Sequence, residues 1–267
     1  MKKYEIVFED NDLFVIRKCA GLACQSARPT EPDLMSLLKN ECLERGEREP
    51  YLALINRLDQ PVEGLLLVAK NARAAASLSA QAREHVVVPG NLTRETAVPL
   101  STGAREYVRM EKEYRALVRG KFQEEEGTLV DFLLRDGRTN TSRVVPPETK
   151  GAKRSELAYR VLESGEDTSL LEIHLKTGRH HQIRVQLAHT GHPIVGDFKY
   201  GEDTDPRQKD EASDAGYAFS RSRRRSSSAR LCLCACRLCF THPGTGEWME
   251  FRAEPSFSHG NDSGRKA

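Results

Sequence analysis

The sequence has no apolar run near the ~20 residues that a membrane-spanning helix needs. Its N-terminus, MKKYEIVFEDND, turns acidic after two lysines, where a signal peptide would continue into an apolar core. A cytoplasmic protein is the expectation. An excess of one charge is also missing: 41 Lys and Arg against 39 Asp and Glu leave +2. Overall charge therefore does not announce a nucleic-acid binder, and local distribution has to decide. Seven cysteines in 267 residues do not form the even, dense set of a disulfide scaffold, and reduced thiols fit better. No internal repeat is present.

What is there suits a globular chain of one large domain or two small ones, with 38% hydrophobic and 30% charged residues. YEIVFEDNDLFVIRK reads as two strands around a turn at Asp10-Asn11-Asp12. DLMSLLKNECLERG reads as a helix starting at Asp33 and stopping near Gly46. GLLLVAK has the composition of a buried strand, and RAAASLSAQAR is Ala-rich and helical. In KEYRALVRG, Tyr114, Ala116 and Val118 fall on one face of a strand; in SLLEIHL, Leu171, Ile173 and Leu175 do so. HHQIRVQLAHTGHP reads as a helix with Gly191 as its stop. RLCLCACRLCF is strand-like, and THPGTGEWMEFRAEP completes a hairpin. Residues 84–110 and 202–229 read as insertions or long loops, and 258–267 as a disordered tail. One domain over 1–257 follows, of α+β class with a mixed, mainly antiparallel sheet.

Four groups of residues invite a chemical reading. Asp59, in NRLDQPVEG, is an ordinary turn former before Gln-Pro. It is also a carboxylate that Arg57 and Arg184 could hold ionised. Spacing alone leaves the turn as the simpler reading. Arg179, His180, His181, Gln182 and Arg184 crowd a strand-to-helix junction, which is either a solvated helix start or a phosphate site. Zinc on His180, His181, His189 and His192 is disfavoured, because the spacing matches no His-Glu-x-x-His pair and no cysteine is near. Tyr114 is either half-buried core or a ring presented for stacking on a base. Cys232, Cys234, Cys236 and Cys239 look metal-like. On a strand, however, alternate residues are about 6.6 Å apart, too far for one metal with ~2.3 Å bonds. A structural role is the expectation, and no metal site.

Taken in order along the chain, the blocks EDNDLFVIRKCAGLACQ, NRLDQPVEGLLLVAKN, KEYRALVRG, TGRHHQIRVQLAHTGHPIVGDFKYG and LCLCACRLCFTHPGTGEWMEFRAEP resemble the RluA-type pseudouridine synthases. That resemblance implies the pseudouridine synthase fold and isomerisation of uridine in structured ribosomal or transfer RNA, with no cofactor. It implies Asp59 as the catalytic aspartate and Tyr114 as the active-site tyrosine. Arg184 would be the basic residue that pairs with the aspartate, and Arg57, Arg179, His181 and Gln182 would contact RNA or shape the site. Four positions depart from the usual pattern: Cys19 stands for a proline, Asn56 for a histidine, and Val62-Glu63 for Thr-Ser. A monomer with RNA as its partner is expected. A catalytically inactive RNA-binding protein on the same fold is the competing reading, and a metal or redox protein using the cysteine row is a more distant one.

Overall fold

The computed structural model describes residues 2–26, 31–83, 110–201 and 230–259. The expected loops at 84–110 and 202–229 lie outside these residues except for Met110, as does most of the tail. The chain divides into two compact units: Met1–Lys112 with Ala235–Ala253, and Glu113–Cys234 with Glu254–Ala267.

In the first unit, β1 (Tyr4–Glu9) and β2 (Leu13–Lys18) form the expected hairpin. The Asp10 carboxylate closes its turn by accepting the N–H groups of Asp12 and Leu13 at 2.8 and 2.9 Å. α1 (Leu34–Glu44) starts at Asp33 because Asp33 and Ser36 cap each other's backbone N–H reciprocally. Its buried stripe is Leu34, Leu38 and Cys42, at helical spacing. A short β3 (Ala53–Leu54) pairs with β4 (Glu63–Ala69), and β4 pairs antiparallel with β2. α2 (Ala72–Arg83) is capped by Asn71, whose Oδ1 accepts the Ala74 N–H at 2.8 Å. The strand order is β1-β2-β4-β10, where β10 is Leu233–Thr241. β11 (Trp248–Arg252) pairs antiparallel with β10, as the hairpin reading anticipated.

The core of this unit joins Leu13 and Val15 of β2, Leu65 and Leu67 of β4, Ala74 and Leu78 of α2, Met110, and Leu238 and Phe240 of β10. Each buried Val, Leu, Met or Phe among them contributes ~1.5–3 kcal/mol by leaving water. Phe14, Ile16, Leu66 and Val68 are also fully buried, so β2 and β4 are covered on both faces. That explains continuous apolar runs such as GLLLVA, which show no alternation.

In the second unit the order is β5 (Glu111–Arg119), β9 (Thr168–Leu175), β8 (Lys153–Ser164), β6 (Glu126–Asp136) and β7 (Thr141–Val144), each pair antiparallel. Tyr114, Ala116 and Val118 are buried as expected, but so is Leu117: this strand is not amphipathic. α3 (Gln182–His189) packs on the β6–β7 hairpin, where Asp131 accepts Gln186 Nε2 at 2.8 Å and lies 3.0 Å from His189 Nδ1. It begins one residue after His181, which is its N-cap in a left-handed conformation (φ 54°).

Candidate active site

In the first unit, Asp59 stands in a turn between β3 and β4, half-buried, with Arg57 exposed beside it. Its carbonyl accepts the Val62 N–H at 3.0 Å, so the aspartate does form the turn that its neighbours suggest. What fixes that turn comes from the loop after β2. The Gln60 carbonyl accepts the Gly21 N–H at 2.8 Å and the Lys18 ammonium at 3.2 Å. On the other side of Asp59, the Cys24 thiol donates to the Leu58 carbonyl at 3.2 Å. Both residues flanking Asp59 are thus held by one loop, Lys18 to Cys24.

Lys18 is the residue that pattern reading missed. It ends an apolar strand yet is 0% exposed. Its ammonium also donates to the carbonyls of Cys19 (3.0 Å) and Leu22 (2.8 Å), which satisfies all three of its protons. Burial pushes its pKa down to about 8, while the thiols of Cys24 and Cys19 and the carboxylates of Asp59 and Glu63 pull the other way. Burial likewise pushes the Cys24 thiol up, against the nearby charges of Lys18 and Arg57. Lys18, Cys24, Arg57 and Asp59 therefore form one electrostatic group. Its signal in the sequence was a lysine at the end of LFVIRK, just before the loop CAG.

The departures from the usual motif have local explanations. Cys19 donates its N–H to the Lys3 carbonyl at 3.0 Å, a bond a proline could not make. Asn56 is buried, and its Oδ1 accepts the Leu67 N–H at 2.9 Å, tying the Asp59 loop to β4. Val62 is buried, so an apolar residue suits that position.

In the second unit, Tyr114 is buried on β5, opposite Ile173 of β9. Arg184 is buried on α3, and its Nε and Nη2 donate to the two carboxylate oxygens of Asp197 at 2.7 and 2.8 Å. Its guanidinium also lies 5.1 Å from the centre of the Tyr200 ring. Within its own unit Arg184 thus has a bidentate carboxylate partner in Asp197, thirteen residues on.

The remaining residues of the block divide by role. Gln182 is buried: its Oε1 accepts Thr177 Oγ1 at 2.8 Å and the Arg179 N–H at 2.9 Å, and its Nε2 donates to the Glu156 carbonyl. Arg179 is exposed, with Nε donating to the Arg154 carbonyl at 3.0 Å. His181 is buried, and its Nδ1 lies 2.6 Å from the Tyr200 hydroxyl. The His180 ring stacks on it at 3.7 Å. A left-handed backbone at a non-glycine such as His181 costs ~1–3 kcal/mol and persists where surroundings enforce it.

Cys234, Cys236 and Cys239 are buried in β10. Among the described residues, the side chains near enough to share a metal ion are Glu113, Glu172 and His174, not the cysteines. Glu172 is already bonded to Arg160 at 2.8 Å and lies 3.2 Å from His174, so ion pairing accounts for that group.

The fold resembles solved human proteins. Human RNA Pseudouridylate Synthase Domain Containing 4 aligns with a TM-score of 0.63 at 20% identity, covering 94% of this chain and 88% of that one. Human RNA Pseudouridylate Synthase Domain Containing 1 gives 0.60 at 24% identity, covering 94% and 83%. The fold is that of an RNA pseudouridylate synthase domain. A family model described as RNA pseudouridylate synthase matches residues 12–89 and 92–189. Ribosomal large subunit pseudouridine synthase C of Salmonella typhimurium and that of Escherichia coli strain K12 are each 33% identical over 248 residues, 93% of this chain. The chain belongs to the RNA pseudouridylate synthase family, and within it to the RluA type. It spans 65% of the length of those two bacterial relatives.

Proposed function

We propose that this protein isomerises uridine to pseudouridine in structured RNA, with Asp59, Tyr114 and Arg184 as its catalytic groups. The observation that carries the reading is the family match together with a carboxylate whose two chain neighbours are both held by one loop. The reaction breaks the bond from ribose C1′ to uracil N1, turns the base, and joins C1′ to C5; the proton on C5 is lost and N1 gains one. Nothing is oxidised or reduced, so no redox cofactor enters. Asp59 acts at the anomeric carbon, as a carboxylate does in retaining glycoside chemistry. Uracil departs as a delocalised anion, so a second carboxylate acid is not required. Tyr114 stacks on the base and helps remove the C5 proton. The target uridine leaves its stack to react. Arg57, Arg179 and His181 contact the RNA, and Gln182 holds the Arg179 corner. Ribosomal RNA is the first substrate to try, because the bacterial relatives are named for the large ribosomal subunit.

The test is Asp59→Asn, compared with wild type by mapping pseudouridine in total RNA from cells lacking the protein. Loss of a site that wild type restores, with unfolding of the variant unchanged, supports the reading. A folded Asp59→Asn that restores the modification overturns it. The alternative, an inactive RNA-binding protein, predicts that biological function survives Asp59→Asn and fails with Arg179→Ala.

A further inference from the structure

One exposed phenylalanine is ordinary on a protein surface. Phe198 differs in how it is held and what surrounds it. It is 54% exposed, yet its turn is fixed on both sides. The buried Asp197 carboxylate accepts the N–H groups of Lys199 (3.0 Å) and Tyr200 (3.2 Å) as well as Arg184, and the Asp197 carbonyl accepts the Gly201 N–H at 2.8 Å. Before it, Gly196 has φ +76°, and a Cβ there would fall 2.1 Å from the Arg230 carbonyl oxygen. The ring is therefore held in water by a preformed turn.

That turn is wired to a basic surface within the same unit. Lys199 Nζ donates to the Asn140 carbonyl at 2.9 Å, and His180 Nε2 lies 3.1 Å from Asn140 Oδ1. His180 Nδ1 lies 2.9 Å from Ser142 Oγ, and the Tyr200 hydroxyl accepts the Ser142 N–H at 2.9 Å. The turn around Phe198, the corner at Arg179 and His180, and the β6–β7 turn thus form one connected surface. Arg138, Arg143 and Arg179 stand exposed on it. Its carboxylate Asp136 is engaged by the N–H of Arg138 and the hydroxyl of Thr139, both at 2.8 Å.

We propose that this surface binds an unpaired stretch of the RNA, with Phe198 stacking on a base and Arg138, Arg143 and Lys199 holding phosphates. An exposed aromatic ring on a surface that also carries arginines suits single strands, whose bases offer a free face, better than a duplex, whose bases are already stacked. The proposal rests on RNA being the substrate and adds where an unpaired base other than the reacting one is gripped.

The test is fluorescence anisotropy with a labelled RNA stem-loop carrying uridines in its unpaired loop, and with a duplex of equal length. Phe198→Ala weakens stem-loop binding about tenfold, as one lost stack would, and leaves duplex binding unchanged. Phe198→Trp retains affinity, and its added fluorescence is quenched by the stem-loop. Arg138→Ala with Arg143→Ala lowers the salt dependence of binding. Equal stem-loop affinity of wild type and Phe198→Ala, or a Phe198→Trp signal that RNA does not change, overturns the proposal. Pseudouridine formation is scored separately. Turnover with no Phe198 effect sinks only this inference; Phe198-dependent binding without turnover sinks only the catalytic reading.

Discussion

The ammonium of Lys18 lies 3.2 Å from the carbonyl oxygen of Gln60, the residue that follows Asp59. A fully buried cation thus anchors the main chain beside the proposed nucleophile. Its cost has a definite pH dependence. The folded pKa of about 8 lies below the ordinary lysine value of 10.5. Between these two values the unfolded chain binds a proton that the folded chain has lost, so stability rises with pH across that window. Lys18 contributes this stability fully above 10.5 and loses it as pH falls through 8. Denaturant unfolding of wild type and Lys18→Met from pH 7 to 11 measures it. The wild type gains on the variant by roughly 3 kcal/mol across the window. A pH-independent difference would mean that Lys18 is not the titrating group.

Arg184 and Asp197 form a buried bidentate pair, with side-chain exposures of 7% and 1%. Removing one partner of such a pair leaves a buried charge without its counter-charge. Asp197→Asn is expected to lower unfolding free energy by about 3 kcal/mol. The same variant loosens the Phe198 turn, so stem-loop affinity falls with stability. Adding Arg184→Gln to it recovers part of the stability and none of the activity. Chemical denaturation of the single and double variants checks both statements.

Gly64, the second residue of β4, has φ +120°, and a Cβ there would lie 2.3 Å from the Ala235 carbonyl oxygen of β10. Neither backbone can yield without breaking the sheet pairing. Gly64→Ala combines a disfavoured conformation with a steric clash, and costs about 3 kcal/mol or more. A fall in thermal unfolding midpoint or loss of soluble protein is the expected result; an unchanged midpoint would contradict the close approach.

The cysteines should react in an order set by burial. Cys19 is exposed, whereas burial pushes the Cys239 thiol up to about 12. At pH 8, iodoacetamide followed by mass spectrometry of the native protein finds Cys19 modified first and Cys239 last. Early modification of Cys239 would show that β10 opens. Stoichiometric zinc or iron in the purified protein would revive a metal role for the row.

Much of the fold was legible because it rests on local chemistry. The Asp33–Ser36 capping box, the Asp10 turn and the glycine after α1 each act within a few residues, and their signals survive in one sequence. The hairpin of β6, β7 and β8 was not legible. Its strands are largely exposed on alternate positions, so composition marks them weakly. Leu117 misled in the opposite sense: a strand covered on both faces shows no period of two.

The sequence by itself determined the family, the turn at Asp59 and the helix after His181, because residue order and local backbone preference suffice for these. It took the folded chain to show that Lys18, 42 residues earlier, holds the residue after Asp59. It also shows that Arg184 grips Asp197 and that the ring of Phe198 is held in solvent. Those facts depend on which distant segments share a neighbourhood, and on burial that turns a lysine's three protons into obligatory bonds.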